Sequence, residues 1–224
     1  SKVVLSQHGG HYGNAKTFSI APHIEYCYSA FISWGWKKHE NYTGNIIDLP
    51  SPFLSKIKRS KNIDNTAIFV SMGSKPMLIR FISNPQPLQQ LKHLEERVSF
   101  FRNLNSDLLS YLLYRPYSGV KYFFPDPPNT LNKEFPNLKQ LTGNLHKHLK
   151  RCRLLVLDHP GTTLNIAMSL NIPTICLWNA ESWQMSSQSK PYFQSFSNSG
   201  IMCDTGLEAA QLFNKVWHNV EDWW

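Results

Sequence analysis

A parallel α/β layer sandwich is the fold class this sequence predicts, and three observations carry the prediction. Short runs that are apolar at almost every position recur through the later part of the chain, at Thr66 to Met72, Leu112 to Pro116, Leu154 to Leu157 and Thr174 to Trp178. A strand that is apolar throughout must be buried on both faces, which is the condition of a parallel sheet with helices on each side. Helical spacing separates those runs: Leu88, Leu91, Leu94, Val98, Phe101 and Leu104 within 87–113, and Thr162 to Leu170 as a crossover between the last two strands. The strand ending at Leu157 runs into Asp158-His159-Pro160-Gly161-Thr162-Thr163, a turn that opens a helix.

Taken in order, Val3-Val4-Leu5-Ser6 reads as a strand feeding the glycine-rich turn Gln7-His8-Gly9-Gly10-His11-Tyr12-Gly13. A chain that starts directly in a strand reads as a piece of a longer protein. Residues 31–36 and 45–52 give two more strand candidates, and the basic, polar stretch 55–65 reads as a linker. The expected organisation is therefore the end of one lobe with the glycine motif and linker over 1–64, a nucleotide-binding Rossmann-like lobe over 65–205, and a C-terminal helix over 206–224. Gly206 to Trp217 has amphipathic spacing and is expected to return toward the first lobe, leaving Trp223 and Trp224 for a partner surface.

Lys and Arg total 23 against 15 Asp and Glu, a formal charge of +8 with a pI near 9.3. Such a surface favours anionic partners: phosphates, sugar acids, nucleic acid or an anionic membrane face. The basic residues are scattered, and the densest runs, Lys56 to Lys61 and His146 to Arg151, read as a solvated linker and a helix face. Nucleic acid is therefore not expected, while peripheral association with a membrane's inner face is compatible with the charge. No apolar run is long enough for a membrane span, and the start lacks the pattern of a secretory signal. Cys27, Cys152, Cys176 and Cys203 form no C-x-x-C pair, and the histidines show no metal-ligand spacing, so a reduced, cytoplasmic chain without a metal is expected.

The Pro-Gly turn at Pro160-Gly161 is the most informative segment. It brings the N–H groups of a first helical turn, the positive end of the helix dipole and the hydroxyls of Thr162 and Thr163 to the carboxyl edge of the sheet, where phosphates bind. The competing structural reading makes Thr162 a plain helix cap. His159 would stand beside the phosphate. Arg115, ending its strand, suits bidentate contact with a phosphate or sugar-acid carboxylate, and Ser71 and Lys75 after the first strand of this lobe would add an N–H and an ammonium. In the glycine motif, Gly9 and Gly10 let a sugar or phosphate approach the backbone, and His8 and His11 can donate hydrogen bonds or pass a proton. For each of these residues ordinary packing or surface pairing is the alternative.

The passage Arg153 to Trp178 resembles the nucleotide-sugar site of GT-B glycosyltransferases, with Asn165 standing where that class carries a ribose-gripping acid. The paired segments Gln7 to Gly13 and Ser33-Trp34-Gly35-Trp36 resemble a group of bacterial surface-polysaccharide transferases that includes the retaining β-Kdo transferases of glycosyltransferase family 99. That resemblance implies a two-lobed GT-B fold, a CMP-Kdo donor acting as substrate with no cofactor, a glycan or lipid-linked acceptor, and an N-terminal lobe completing the cleft. It also implies double displacement through an enzymic nucleophile between the two motifs. Glu25 and Cys27 are the candidates, two apart and so on one face if the segment is extended, with Ser29 a further register. Two readings compete with this one: another GT-B transferase, inverting or acting on polyol phosphate, and a non-enzymatic basic nucleotide-binding or scaffold module.

Overall fold

The computed structural model describes residues 2–73, 83–117 and 127–224. Its frame is two parallel sheets. In the first, β1 (Val4–Ser6), β2 (Ala30–Trp34) and β3 (Ile46–Leu49) pair in that order, with α1 (Ile20–Ile24) between β1 and β2. Among the described residues the second holds six strands: β4 (Ala67–Val70), β5 (Leu112–Arg115), β6 (Lys139–Gln140), β7 (Leu154–Leu157), β8 (Thr174–Leu177) and β9 (Met202–Cys203). They lie in the order β6-β5-β4-β7-β8-β9, and every pairing is parallel. Starting at β4, the chain fills one side of the sheet through β6, then returns to β4's other edge and fills that side, which is the Rossmann order. The chain thus has the Rossmann-like parallel sheets flanked by helices that the sequence predicts.

The strands follow their residues. β4, β7 and β8 are buried at all four positions, whereas β3 alternates between half-buried and exposed. On one face of the large sheet Phe69, Val156 and Ile175 pack under α2 (Pro87–Asn103) and α7 (Gly206–Val216). On the other face Ile68, Leu155, Leu157 and Cys176 pack with Leu164, Ile166 and Ala167 of α5 (Thr162–Ser169). Successive residues of one strand thus serve opposite layers. The remaining helices, α3 (Pro127–Glu134), α4 (Leu145–Leu149), α6 (Lys190–Asn198) and α8 (Val220–Trp223), complete the crossovers and the C-terminus.

Four expectations are corrected. The C-terminal helix stays on the second unit: Ala209, Ala210, Phe213 and Val216 of α7 bury against α2 and β8, because two small residues let the helices approach closely. Trp223 and Trp224 do not form a free patch. Trp223 packs on that same core, and the Trp224 indole N–H donates to Asn171 Oδ1 at 2.8 Å. The helix predicted within 87–113 ends at Asn103, whose carbonyl accepts from the Asn214 side chain, and Leu88 is 82% exposed. The stretch 55–65 is no free tether: Arg59 donates to the carbonyls of Asn171 and Cys152, and Arg151 pairs with Asp64 at 2.6 Å.

Gly206 shows how tight the α2–α7 contact is. A side chain there would fall on the Glu96 carbonyl oxygen and within 2.6 Å of the Phe100 amide nitrogen, both backbone atoms of α2. We expect Gly206→Ala to cost about 1–3 kcal/mol of stability through this overpacking. Urea unfolding should show a lower midpoint at an unchanged slope; an unmoved midpoint would contradict the packing described.

Candidate active site

The strand order of the large sheet reverses between β4 and β7, so the connections leaving these two strands diverge and open a crevice at their carboxyl ends. Asp158, the first residue beyond β7, is fully buried at its floor. Arg97 of α2 donates to Asp158 Oδ2 from Nε at 2.9 Å and from Nη2 at 2.5 Å. The Met72 N–H, just past β4, donates to Oδ1 at 2.8 Å, and His159 Nδ1 meets the same oxygen at 2.9 Å. His93, one turn before Arg97 on α2, brings Nε2 to 3.6 Å from Oδ2. Burial by itself would raise this carboxyl, but the Arg97 guanidinium, with His159 and His93 behind it, holds it well below the ordinary range. An ionised carboxylate at Nδ1 accepts that ring proton, so His159 turns Nε2 toward whatever occupies the crevice.

Above this floor lies a cavity of about 430 Å³. Ser71, Arg115, His159, Gly161, Thr162, Thr163 and His11 line it, together with Gly73, Tyr117 and Trp183. Pro160 is buried in the turn below. Gly161 caps α5 in an extended conformation without a side-chain cap; its carbonyl accepts from the Leu164 N–H at 3.0 Å, and the N–H groups of Thr162 and Thr163 precede the helix's own ladder. Arg115 donates from Nη1 to the Leu141 carbonyl at 2.9 Å. Ser71 is committed to the scaffold: its N–H donates to the Arg115 carbonyl at 3.0 Å and its hydroxyl lies 3.0 Å from that of Tyr114. Lys75 lies outside the described residues.

His11 enters the cavity from the first unit, stacked between Phe18 at 6.2 Å and Trp183 at 6.1 Å. Burial, aided by the nearby His159, lowers it to about 4, so it is neutral at pH 7 and serves as a hydrogen-bonding group rather than a cation. Its neighbour Gly10 donates its N–H to Thr162 Oγ1 at 2.9 Å. A Cβ on Gly10 would lie 2.5 Å from the Thr162 nitrogen and 2.6 Å from the Gly161 carbonyl carbon. The close approach that this glycine permits is thus between the chain's own two units. Gly9 lies alongside, where an added Cβ would stand 3.6 Å from Thr162 Oγ1.

Gln7, to which the sequence reading gave no task, ties the paired motifs together. Its Oε1 accepts from the Trp34 N–H at 2.9 Å and the Trp36 indole at 2.8 Å, and its Nε2 donates to the Gly9 carbonyl at 2.7 Å.

Beyond Gly9 stands a second cluster. The Tyr12 hydroxyl donates to Glu25 Oε1 at 2.8 Å and lies 2.6 Å from His8 Nε2, which is itself 3.4 Å from Oε1. Burial first, then Glu25, push the Tyr12 phenol above its ordinary value, so it remains a proton donor. Glu25 Oε2 is buried with no hydrogen-bond partner. The segment expected to be extended is instead the end of α1 followed by turns, with Glu25 itself helical. Glu25 and Cys27 therefore do not share a face: Cys27 is exposed, its thiol 3.5 Å from the His23 carbonyl. Burial raises the thiols of Cys152 and Cys203 to about 12, which keeps both unreactive. Among the described residues, no group of three or more His, Cys, Asp or Glu is placed to hold a metal.

Arg97, His93 and Tyr12 were missed as site residues, whereas Trp183, in the aromatic segment 178–196 that the sequence offers as a wall of the cleft, does line the cavity. Arg97 had a signal, since it falls between Leu94 and Phe101 on a stripe that is otherwise apolar, and a charge at core spacing needs a buried counter-charge. His93, one turn away on the same face, had none until Asp158 was located.

The model of the LIC12162 family transferases matches residues 1–224. The chain belongs to this family. No curated protein matches it. Among solved structures it is similar to spinosyn forosaminyltransferase SpnP, with 12% identity and a TM-score of 0.38 over 88% of this chain and 49% of that one. The chain thus spans about half the length of that enzyme. For this LIC12162 family transferase, burial of His11 has a consequence for stability. As pH falls below the unfolded value of 6.5 toward about 4, the unfolded chain takes up a proton that the folded chain refuses. At about 1.36 kcal/mol per pH unit, this costs about 3 kcal/mol by pH 4. His11→Gln should therefore flatten the loss of stability between pH 6.5 and 4 in urea titrations; an unaltered slope would mean that His11 is protonated in the folded chain.

Proposed function

We propose that this transferase is a glycosyltransferase whose second unit holds a nucleotide-activated acidic sugar, with CMP-Kdo as the donor and a surface-polysaccharide glycan or its lipid-linked form as the acceptor. One observation carries the reading: His159, Arg115 and the opening of α5 converge on a single cavity at the switch point of the sheet. Open α/β sheets bind nucleotides and phosphates at that place, and these three elements all favour negative charge. A CMP-activated sugar acid presents two anionic groups, its phosphate and its carboxylate, which fits one group at His159 and Thr162 and the other at Arg115.

In this reading Glu25 is the nucleophile. Its carboxylate attacks the anomeric carbon as the bond to the CMP phosphate oxygen breaks, and His159 with the α5 N–H groups steadies the departing phosphate. The acceptor hydroxyl then displaces Glu25 from the opposite side and loses its proton, giving net retention. His11, neutral and lining the cavity from which the phosphate departs, stands on that opposite side to take the proton, while His8 and Tyr12 hold Glu25 in place. Glu25 is favoured over Cys27 because its carboxylate sits in the cluster with Tyr12 and His8, whereas the Cys27 thiol is exposed and turned to the His23 carbonyl. The basic surface supports a cytoplasmic enzyme working at a membrane's inner face, and no described helix is long and apolar enough to cross a membrane.

Calorimetric titration with CMP, CDP, UDP and GDP tests the donor. CMP is expected to bind selectively, and His159→Ala or Thr162→Ala should weaken it by about 10- to 100-fold, the worth of a charge-assisted contact. Selective binding of another nucleotide would replace the sugar class, and no binding at all would favour a scaffold role. The nucleophile is tested by intact-protein mass spectrometry after single-turnover incubation with CMP-Kdo. One added sugar is expected on the peptide bearing Glu25 and none on Glu25→Gln; an adduct on another peptide would overturn the assignment.

A further inference from the structure

A second cavity, of about 390 Å³, shares the Trp183 indole with the first as a common wall. Its volume is that of a small-molecule site, and its chemistry differs from that of its neighbour. Trp178, Phe193 and Met202 give it an apolar floor, while Lys16 and Lys190 stand at its edge. No carboxylate is among its described lining residues. The two lysines come from different units and are held in place by the seam between them. Lys16 donates its N–H to the Gln184 carbonyl at 2.9 Å beside an antiparallel bridge from Ala15 to Met185. Lys190 is the first residue of α6, whose first turn carries no acid, so the positive end of that helix adds to the two ammonium groups. Glu40, whose charge Lys16 also feels, is anchored on the Ser187 N–H at 2.8 Å.

An apolar floor alone would accept any apolar molecule, and lysines alone any anion. A cavity that joins both selects a molecule with an apolar chain and an anionic head. Tyr192, on the same helix, is 71% exposed, an aromatic with a polar tip left in solvent where a lipid surface would cover it. We propose that this cavity binds a lipid-linked phosphate, its first hydrocarbon units on the Trp178 and Phe193 floor and its phosphate at Lys16 and Lys190. Trp183 then separates this ligand from the occupant of the switch-point cavity by one indole. That the bound lipid phosphate is the acceptor rests on the glycosyltransferase reading; the binding itself does not.

Calorimetric titration of the purified chain with hexyl phosphate, octyl phosphate below its micelle threshold, octyltrimethylammonium and inorganic phosphate tests the proposal. Octyl phosphate is expected to bind, and each methylene that reaches the floor should tighten binding about fourfold. Octyltrimethylammonium and inorganic phosphate should bind far more weakly. Lys190→Glu, at an exposed position, should weaken octyl phosphate about fivefold or more. Ser197→Trp, which fills the cavity from the exposed side of α6 without removing any core residue, should abolish binding, and circular dichroism would check its fold. CMP affinity of both variants is expected to match the parent, and a parent that fails to bind CMP but binds octyl phosphate would sink the donor reading alone. Equal binding of the cationic and anionic octyl compounds, equal binding of hexyl and octyl phosphate, or full octyl phosphate affinity in a folded Ser197→Trp chain would each overturn the lipid-phosphate site.

Discussion

A carboxylate shut away from water must be surrounded by cations and hydrogen-bond donors, and in this chain that requirement falls on Asp158. Its partners come from three directions: Arg97 and His93 from α2, the Met72 N–H from the end of β4, and His159 from its own strand. Removing one partner would leave a buried charge uncompensated, at a cost of about 3–5 kcal/mol, so the network fixes how α2 lies across the sheet as firmly as the apolar packing does. It also fixes the chemistry of the crevice. With the carboxylate kept ionised by Arg97, the His159 ring has one orientation, and the atom it presents to the cavity follows from that.

The second constraint is the seam between the two units. Gly10 meets the turn of Gly161 and Thr162 backbone to backbone, and residues 13–17 are bonded to 184–189 through the Asn14 and Gly13 carbonyls, which accept from Ser186 at 2.8 and 2.5 Å. Gln7 transmits the position of the Trp34–Trp36 strand end to the same motif. The glycine motif carries Tyr12 and His8 of the Glu25 cluster at one end and meets the phosphate-favouring turn through Gly10.

Trp183 gives the seam a further role. The indole stacks on His11, approaches His159 and forms a wall of both cavities. One cavity is polar and lined by histidines and arginine, the other apolar with lysines at its edge. The charge of +8 that composition alone spread over the whole surface is thereby given two local uses.

The sequence by itself determined the layers. Runs such as Leu154 to Leu157 could only be strands buried on both faces, and the Pro-Gly turn with its two threonines could only open a helix, so the sheet, its direction and the opening of α5 were legible in local patterns. The tertiary structure decided whatever depends on contacts distant in sequence. Arg97 and Asp158 lie far apart in the chain, and neither residue announces the other. Glu25 and Cys27 looked alike in an extended reading, and only the end of α1 turned one toward Tyr12 and the other to solvent. Trp224, which the sequence reading leaves for a partner surface beyond the last helix, donates its indole N–H to Asn171 within the chain. Periodicity reports which face of an element is apolar, because that depends on the element alone; which buried charge meets which, and which glycine meets which turn, depends on how separate elements pack.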